Sequence, residues 1–334
     1  MPSFPLPLDT TPMEAKSVEA LPDERGWQFE PKWDGFRCLV FRAGDELEMV
    51  SKSQRPLTRY FPEVAAALKS VRADKFVLDG ELIIPRDGKL DFDALLQRIH
   101  PAETRIQQLS HRTPATFAVF DLLVDEKGGD LTGEKFSTRR LALERFASKF
   151  LSKNQRFRLS PSSGDLPDAA QWKDELAGSI DGIIAKRADL PYESGERTGM
   201  LKIKNRRTAD CVVGGFRYAA KKPVVGSLLL GLYDDAHLLH HVGFTSSMAA
   251  GEKPALTKEL EALAAPPGFT GAAPGGPSRW STERSGEWQP VRPKLVLEVQ
   301  YDHVSGRRFR HGTKFVRWRP DKKPDQCTFE QIGL

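Results

Sequence analysis

The sequence predicts an α+β fold for its first two thirds, followed by a smaller domain built mainly of strands. Two observations carry that prediction. Up to about Lys204, short β-branched and aromatic runs are interspersed with segments whose apolar residues recur every three or four positions. Beyond Arg207 the helical spacing thins and short apolar strands return, a pattern that suits a small barrel. The expected boundary divides the chain into residues 1–205 and 206–334.

In the first region, Trp27 to Pro31 and Cys38 to Phe41 are strand-like runs flanking a tight turn, and Val77–Ile84, Thr116–Leu123 and Asp181–Lys186 read as further strands. Helical spacing covers Phe61–Val71, Phe92–Ile99, Thr138–Phe150 and Asp168–Ala177. In the second region the strands are Cys211–Tyr218, Ser227–Tyr233, Leu238–Thr245 and Leu295–Tyr301, broken by one helix near Ala255–Ala264. The Pro/Gly-rich stretch from Pro266 to Pro277 reads as a surface loop within this domain, because strand-like sequence continues after it.

The 334 residues are 39% hydrophobic and 28% charged, which fits a globular protein with a sizeable core. A net charge of +5 suits a polyanionic partner. The positive charge gathers at Lys202–Arg207 and at Arg307–Lys323, where Phe309, Phe315 and Trp318 are interleaved. Cys38, Cys211 and Cys327 are far apart and show no CxxC spacing, so neither a zinc site nor a disulfide framework is suggested and a reducing cytoplasm is expected. No apolar run reaches the ~18 residues of a membrane span, and no leader pattern opens the chain.

The segment Lys32-Trp33-Asp34-Gly35-Phe36-Arg37 places an amine, a carboxylate, a glycine and a guanidinium around one turn. Such an amine is a candidate nucleophile if neighbouring charge, a metal ion or desolvation releases its proton. Glu81 and Asp181 supply carboxylates of the kind that meet Mg²⁺ together with substrate phosphates. Lys186, Lys202 and Lys204 supply positive charge, the last two on one face of a strand.

Taken in order, these clusters resemble the covalent nucleotidyltransferases, specifically the bacterial ATP-dependent DNA ligases of the C and D types. The resemblance implies a nucleotidyltransferase (ATP-grasp-like adenylation) domain followed by an OB-fold domain. It implies that Lys32 becomes linked to AMP, with Asp34, Lys202 and Lys204 in the catalytic set. Glu30 would read the adenine amino group, Arg37 the ribose, Phe120 the face of the base, and Lys186 a phosphate. Glu81 would lie near ribose and metal, with Asp181 as the second metal-site carboxylate, for Mg²⁺ or Mn²⁺. Arg319, Asp321 and Lys322, in Arg319-Pro320-Asp321-Lys322, would orient the departing pyrophosphate.

Two positions depart from the family pattern. Lys52, in Ser51-Lys52-Ser53, stands where arginine is common, replacing a bidentate contact with a point charge. Asp181 stands where glutamate is commoner, one methylene shorter. The resemblance implies a monomeric, ATP-dependent enzyme that seals nicked duplex DNA in repair, with separately encoded repair polymerases as candidate partners. An RNA ligase, a GTP-dependent capping enzyme and an inactive binding module are the alternatives.

Overall fold

The computed structural model describes residues 4–175, 180–205, 207–220, 222–275 and 287–334, and the chain forms two compact units, Met1–Asn205 and Arg206–Leu334. The ends of two predicted segments, 176–177 of a helix and 276–277 of the Pro/Gly loop, lie outside the described residues, as does Arg206 of the first basic run.

The first unit contains two principal sheets. One joins β1 (Lys16–Ser17), β2 (Trp27–Trp33), β10 (Ile180–Arg187) and β11 (Met200–Lys204) in the order β1-β11-β10-β2. The other joins β3 (Phe36–Ala43), β4 (Glu46–Ser51), β5 (Lys75–Ile83), β8 (Thr116–Val124) and β9 (Phe157–Leu159) in the order β4-β3-β5-β8-β9. A two-residue pair, β6 (Pro85–Arg86) with β7 (Lys89–Leu90), follows β5.

Every residue of β8 is buried, as expected of a strand covered on both faces. On one face, Val119, Leu122 and Phe117 pack with residues of α1 (Pro62–Lys69), α2 (Phe92–Arg98) and α4 (Phe136–Phe146). On the other, Ala118 and Phe120 join Phe29, Trp33, Ile183 and Ala185 of the four-stranded sheet. The two sheets therefore share a core, and the cleft opens at its margin.

The predicted strands of this unit form within a few residues of their expected ends. The helix α3 (Glu103–Arg112) was not predicted, because Ile106 alone among its apolar residues is fully buried and the periodic signal is faint. The segment predicted as helix over 138–150 divides into α4 and a π-helical turn at Ala147–Leu151. The helix α5 runs from Leu166 to Glu175.

In the second unit β12 (Arg207–Ala219), β13 (Lys222–Tyr233), β14 (Leu239–Thr245), β16 (Val296–Tyr301) and β19 (Lys314–Trp318) pair antiparallel in the order β14-β13-β12-β16-β19. The short β15 (Gln289–Pro290) adds to β12, and β17 (Val304–Ser305) pairs with β18 (Arg308–Phe309). The two outer strands meet at a single bridge, Thr245 with Thr313, where Thr313 N donates to Phe244 O at 3.0 Å. That is one point of closure rather than a continuous ladder. Leu256 and Leu260 of α6 (Lys253–Ala262) enter the same core as Leu228, Leu230 and Val299. Among the described residues no helix is long and apolar enough to cross a membrane.

Candidate active site

Strand register assembles one wall of the cleft. Three cross-strand rows share a face of the four-stranded sheet because side chains alternate with a period of two. Lys32 is opposite Gly182, which is opposite Lys204; Glu30, Ile184 and Lys202 form the next row; Gln28, Lys186 and Met200 form the third. Residues from these rows, together with Pro12 to Ala15, Arg37, Lys52, Glu81 and Phe120, line a cleft of about 140 Å³.

At one end Lys32 Nζ donates to Asp181 Oδ2, and Lys204 Nζ lies 4.0 Å from the same oxygen. A bulge between Ile180 and Gly182 brings Asp181 into this position. Gly182 makes it feasible: its φ is +144°, and a Cβ there would fall 1.9 Å from Ile203 O. Burial, followed by Lys32, Lys204, Lys52 and Arg197, pulls the Lys202 ammonium below the ordinary lysine range. Lys32 and Lys204 share a carboxylate, and Lys52 Nζ sits 2.8 Å from Glu14.

The other end is dry. Glu30 is 2% exposed, Lys186 Nζ lies 2.8 Å from its Oε2, and Arg140 Nη1 lies 3.7 Å from its Oε1. Burial raises the Glu30 carboxyl above its usual range against the pull of those two cations. Its Oε1 is buried and has no hydrogen-bond partner among the described residues. Lys186, expected at a phosphate, lines the cleft beside Glu30 and Phe120: it is the diagonal cross-strand neighbour of Glu30, and its ammonium stands 4.7 Å from the Phe120 ring centroid.

The facing sheet supplies Arg37 and Glu81, which are directly opposite each other on β3 and β5. Arg37 makes a two-pronged contact with Asp79, 2.6 Å from Nε and 2.6 Å from Nη2, and its guanidinium lies 4.5 Å from the Phe120 centroid. Burial disfavours the Arg37 charge, but Asp79 outweighs it and the guanidinium is held more firmly protonated than usual. Tyr192 Oη donates to Asp79 at 2.6 Å and accepts from Met13 N at 3.1 Å. Burial lifts the Glu81 carboxyl to about 7, although Arg37 and Lys32 oppose the shift. Gly35 permits this approach, since a Cβ there would lie 2.2 Å from Leu82 O and 2.8 Å from Glu81 Cγ. Asp34, in the same turn, is not among the cleft-lining residues and its charge bears on Glu81.

Arg319, Asp321 and Lys322 belong to the second unit. Arg319 Nη1 is 2.8 Å and Lys322 Nζ 2.7 Å from the two oxygens of Asp210, while Asp321 is 2.9 Å from Arg319. The hydrogen bond from Arg319 pulls the Asp321 carboxyl down to about 2. Sequence reasoning missed Asp210, Asp79, Tyr192, Glu14 and Arg140, which hold the expected residues in place. Asp79 alone carried a local signal, through Asp79-Gly80-Glu81.

Glu81 and Asp181 are hard oxygen donors, but no group of three or more ligating side chains able to hold a metal occurs among the described residues. That donor set fits a divalent ion completing its shell with substrate phosphates and water.

Residues 12–204 match the family model of the ATP-dependent DNA ligase domain, and residues 221–322 match that of the ATP-dependent DNA ligase C-terminal region. The chain is 44% identical to DNA ligase C2 of Mycolicibacterium smegmatis, over 96% of this chain and 94% of the relative. It is 41% identical to DNA ligase C of Mycobacterium tuberculosis, over 98% and 95%. A solved structure of a Lig E DNA ligase shares the fold, with a TM-score of 0.57 at 16% identity over 92% of this chain and 99% of that one. With both family models matched in order and relatives aligned along nearly the whole sequence, the chain belongs to the ATP-dependent DNA ligases.

Proposed function

We propose that this ligase seals nicks in duplex DNA through a lysyl-AMP formed on Lys32, with adenylation carried by residues 1–205 and an OB-type domain formed by residues 206–334. The single observation that supports adenine over guanine is the buried Glu30 Oε1, in the same cleft as Lys32, which lacks a hydrogen-bond partner among the described residues. The adenine amino group donates to such an acceptor, whereas guanine presents a carbonyl oxygen on the corresponding edge. Leaving a buried acceptor unmet costs about 1–3 kcal/mol, so the base that satisfies it is favoured.

In the first step Lys32 Nζ forms a bond to the α-phosphorus and the bond to pyrophosphate breaks. Asp181, hydrogen-bonded to Lys32, is placed to hold the proton that the amine gives up. Lys202 and Lys204 offset negative charge on the phosphate. Arg37, fixed by Asp79, and Phe120 position the nucleoside. A divalent ion held through Glu81 and Asp181 would supply further charge stabilisation. AMP then passes to the 5′-phosphate of the nick and is displaced by the 3′-hydroxyl. Arg319 and Lys322 are proposed to serve the departing pyrophosphate, which requires that Asp210 release them. The enzyme is proposed to act as a cytoplasmic monomer on nucleoid DNA.

The test is incubation with α-labelled ATP or GTP and Mg²⁺, followed by denaturation and a chase with nicked duplex. An ATP-specific label, absent in Lys32→Ala and discharged as the nick is sealed, is the expected result. Failure of well-folded, AMP-free protein to take up label from either nucleotide would overturn the covalent reading.

A further inference from the structure

Lys32, Lys52 and Lys202 line one end of the cleft, with Lys204 and Arg197 close behind, and each of the other four weighs on the charge of Lys202. Asp181 serves Lys32 and Lys204. A second carboxylate, Glu14, serves the outer pair: its Oε1 is 2.8 Å from Lys52 Nζ and its Oε2 is 2.6 Å from Arg197 Nη2. Glu14 lines the cleft beside Lys52 and Lys202.

The backbone ties the Glu14 segment to the loop that follows β10, and Glu14 is less exposed than the cations it holds. Glu14 N donates to Glu196 O at 2.8 Å, and Ser194 Oγ donates to Thr11 O at 2.6 Å, so the segment carrying Glu14 is sewn to the loop carrying Arg197. The Lys52 side chain, by contrast, is 55% exposed, and that of Arg197 is 67% exposed. Exposed pairs of this kind contribute little to stability. Their charge is felt by whatever anion enters the cleft.

We infer that Glu14 is a resident counter-ion of the cleft, holding Lys52 and Arg197 until a phosphoanion displaces it and recapturing them when that anion leaves. The inference rests on the lysyl-AMP reading and deepens it. Five cations without this carboxylate would grip pyrophosphate as well as they grip ATP, and binding substrate and product more tightly gives no gain in turnover. Glu14 thus acts as a positioning residue that favours release.

The experiment measures adenylate formation by Glu14→Gln against ATP and against added pyrophosphate, and separately the binding of nicked duplex to the protein without nucleotide. The expected result is a pyrophosphate inhibition constant lowered roughly threefold to tenfold with an unchanged melting temperature. Adding Lys52→Gln should reverse part of that gain, an interaction that a purely structural tie would not produce. Tightening of nicked duplex alone would support the counter-ion role with a DNA phosphate as the displacing anion. No tightening of either, in folded protein, would overturn it. Absence of any adenylate in the unaltered protein would instead sink the lysyl-AMP reading, and the duplex arm would still decide on Glu14.

Discussion

The two ends of the cleft solve opposite problems with the same strands. At the Glu30 end, ions are buried: Glu30 is 2% and Lys186 4% exposed, and each has the other as its partner. At the Lys32 end the cations outnumber the carboxylates and remain in reach of water, Lys32 at 21% and Lys204 at 31% exposure. One row of the sheet separates the two arrangements, since Glu30 and Lys32 are two residues apart on β2. The Glu30 end suits a single flat ligand read by shape and one hydrogen bond. The Lys32 end suits a charged group that must enter, react and leave.

The comparison breaks most severely at Glu30. Replacing one member of a buried pair leaves the other charge without compensation, which costs about 3–5 kcal/mol. Glu30→Gln, although nearly the same shape, is expected to lower the stability of the first unit to urea by a corresponding amount, whereas Lys32→Ala should cost less, because Lys204 remains 4.0 Å from the Asp181 carboxylate that Lys32 leaves. Equal losses in the two variants would mean that the ends do not differ in the way their burial indicates.

A smaller effect is expected at Tyr192, which joins the wall to the facing sheet. Tyr192→Phe removes a donor to Asp79 and an acceptor for Met13 N, so a loss of roughly 2 kcal/mol follows from one hydrogen bond to a charged group and a stranded backbone N–H. Because Asp79 also aligns Arg37, KM for ATP should rise more than kcat falls. A fall in kcat with KM unchanged would place Tyr192 outside nucleotide positioning.

These residues also mark how far the sequence could be read. Lys32, Glu30, Glu81, Phe120 and Lys202 all line the cleft; the strands of the first four showed β-branched or aromatic runs locally, while that of Lys202 showed only the alternation of Lys202 and Lys204. What was invisible is pairing across the chain. Met13 and Tyr192 are 179 positions apart, and Asp79 and Tyr192 are 113 apart. Neither periodicity nor composition reports such contacts; only the register of the assembled strands does. The placement of Lys186 shows the same limit: its presence on a strand was legible, while its proximity to Glu30 depends on β10 pairing with β2 in one particular register. In the second unit, β19 was read as a basic and aromatic run because Lys314, Val316 and Arg317 face outward, so its apolar alternation is weak.

Glu81 offers the finest discrimination, through pH. Its carboxyl is raised to about 7 in the folded protein from an ordinary value near 4.5, so the fold favours the protonated form. Below the ordinary value both states carry the proton and the group contributes nothing to the pH dependence. Between about 4.5 and about 7 the unfolded chain has released a proton that the folded chain keeps, so stability falls as pH rises and then levels off. Glu81→Gln cannot ionise and should lose this slope, leaving the variant with a higher melting temperature than the parent at pH 8 and indistinguishable from it near pH 4. Parent and variant melting in parallel across that range would show that Arg37 and Lys32 already compensate the Glu81 charge, and the carboxylate would then join Asp181 among the paired groups rather than standing apart as the one whose desolvation awaits a cation.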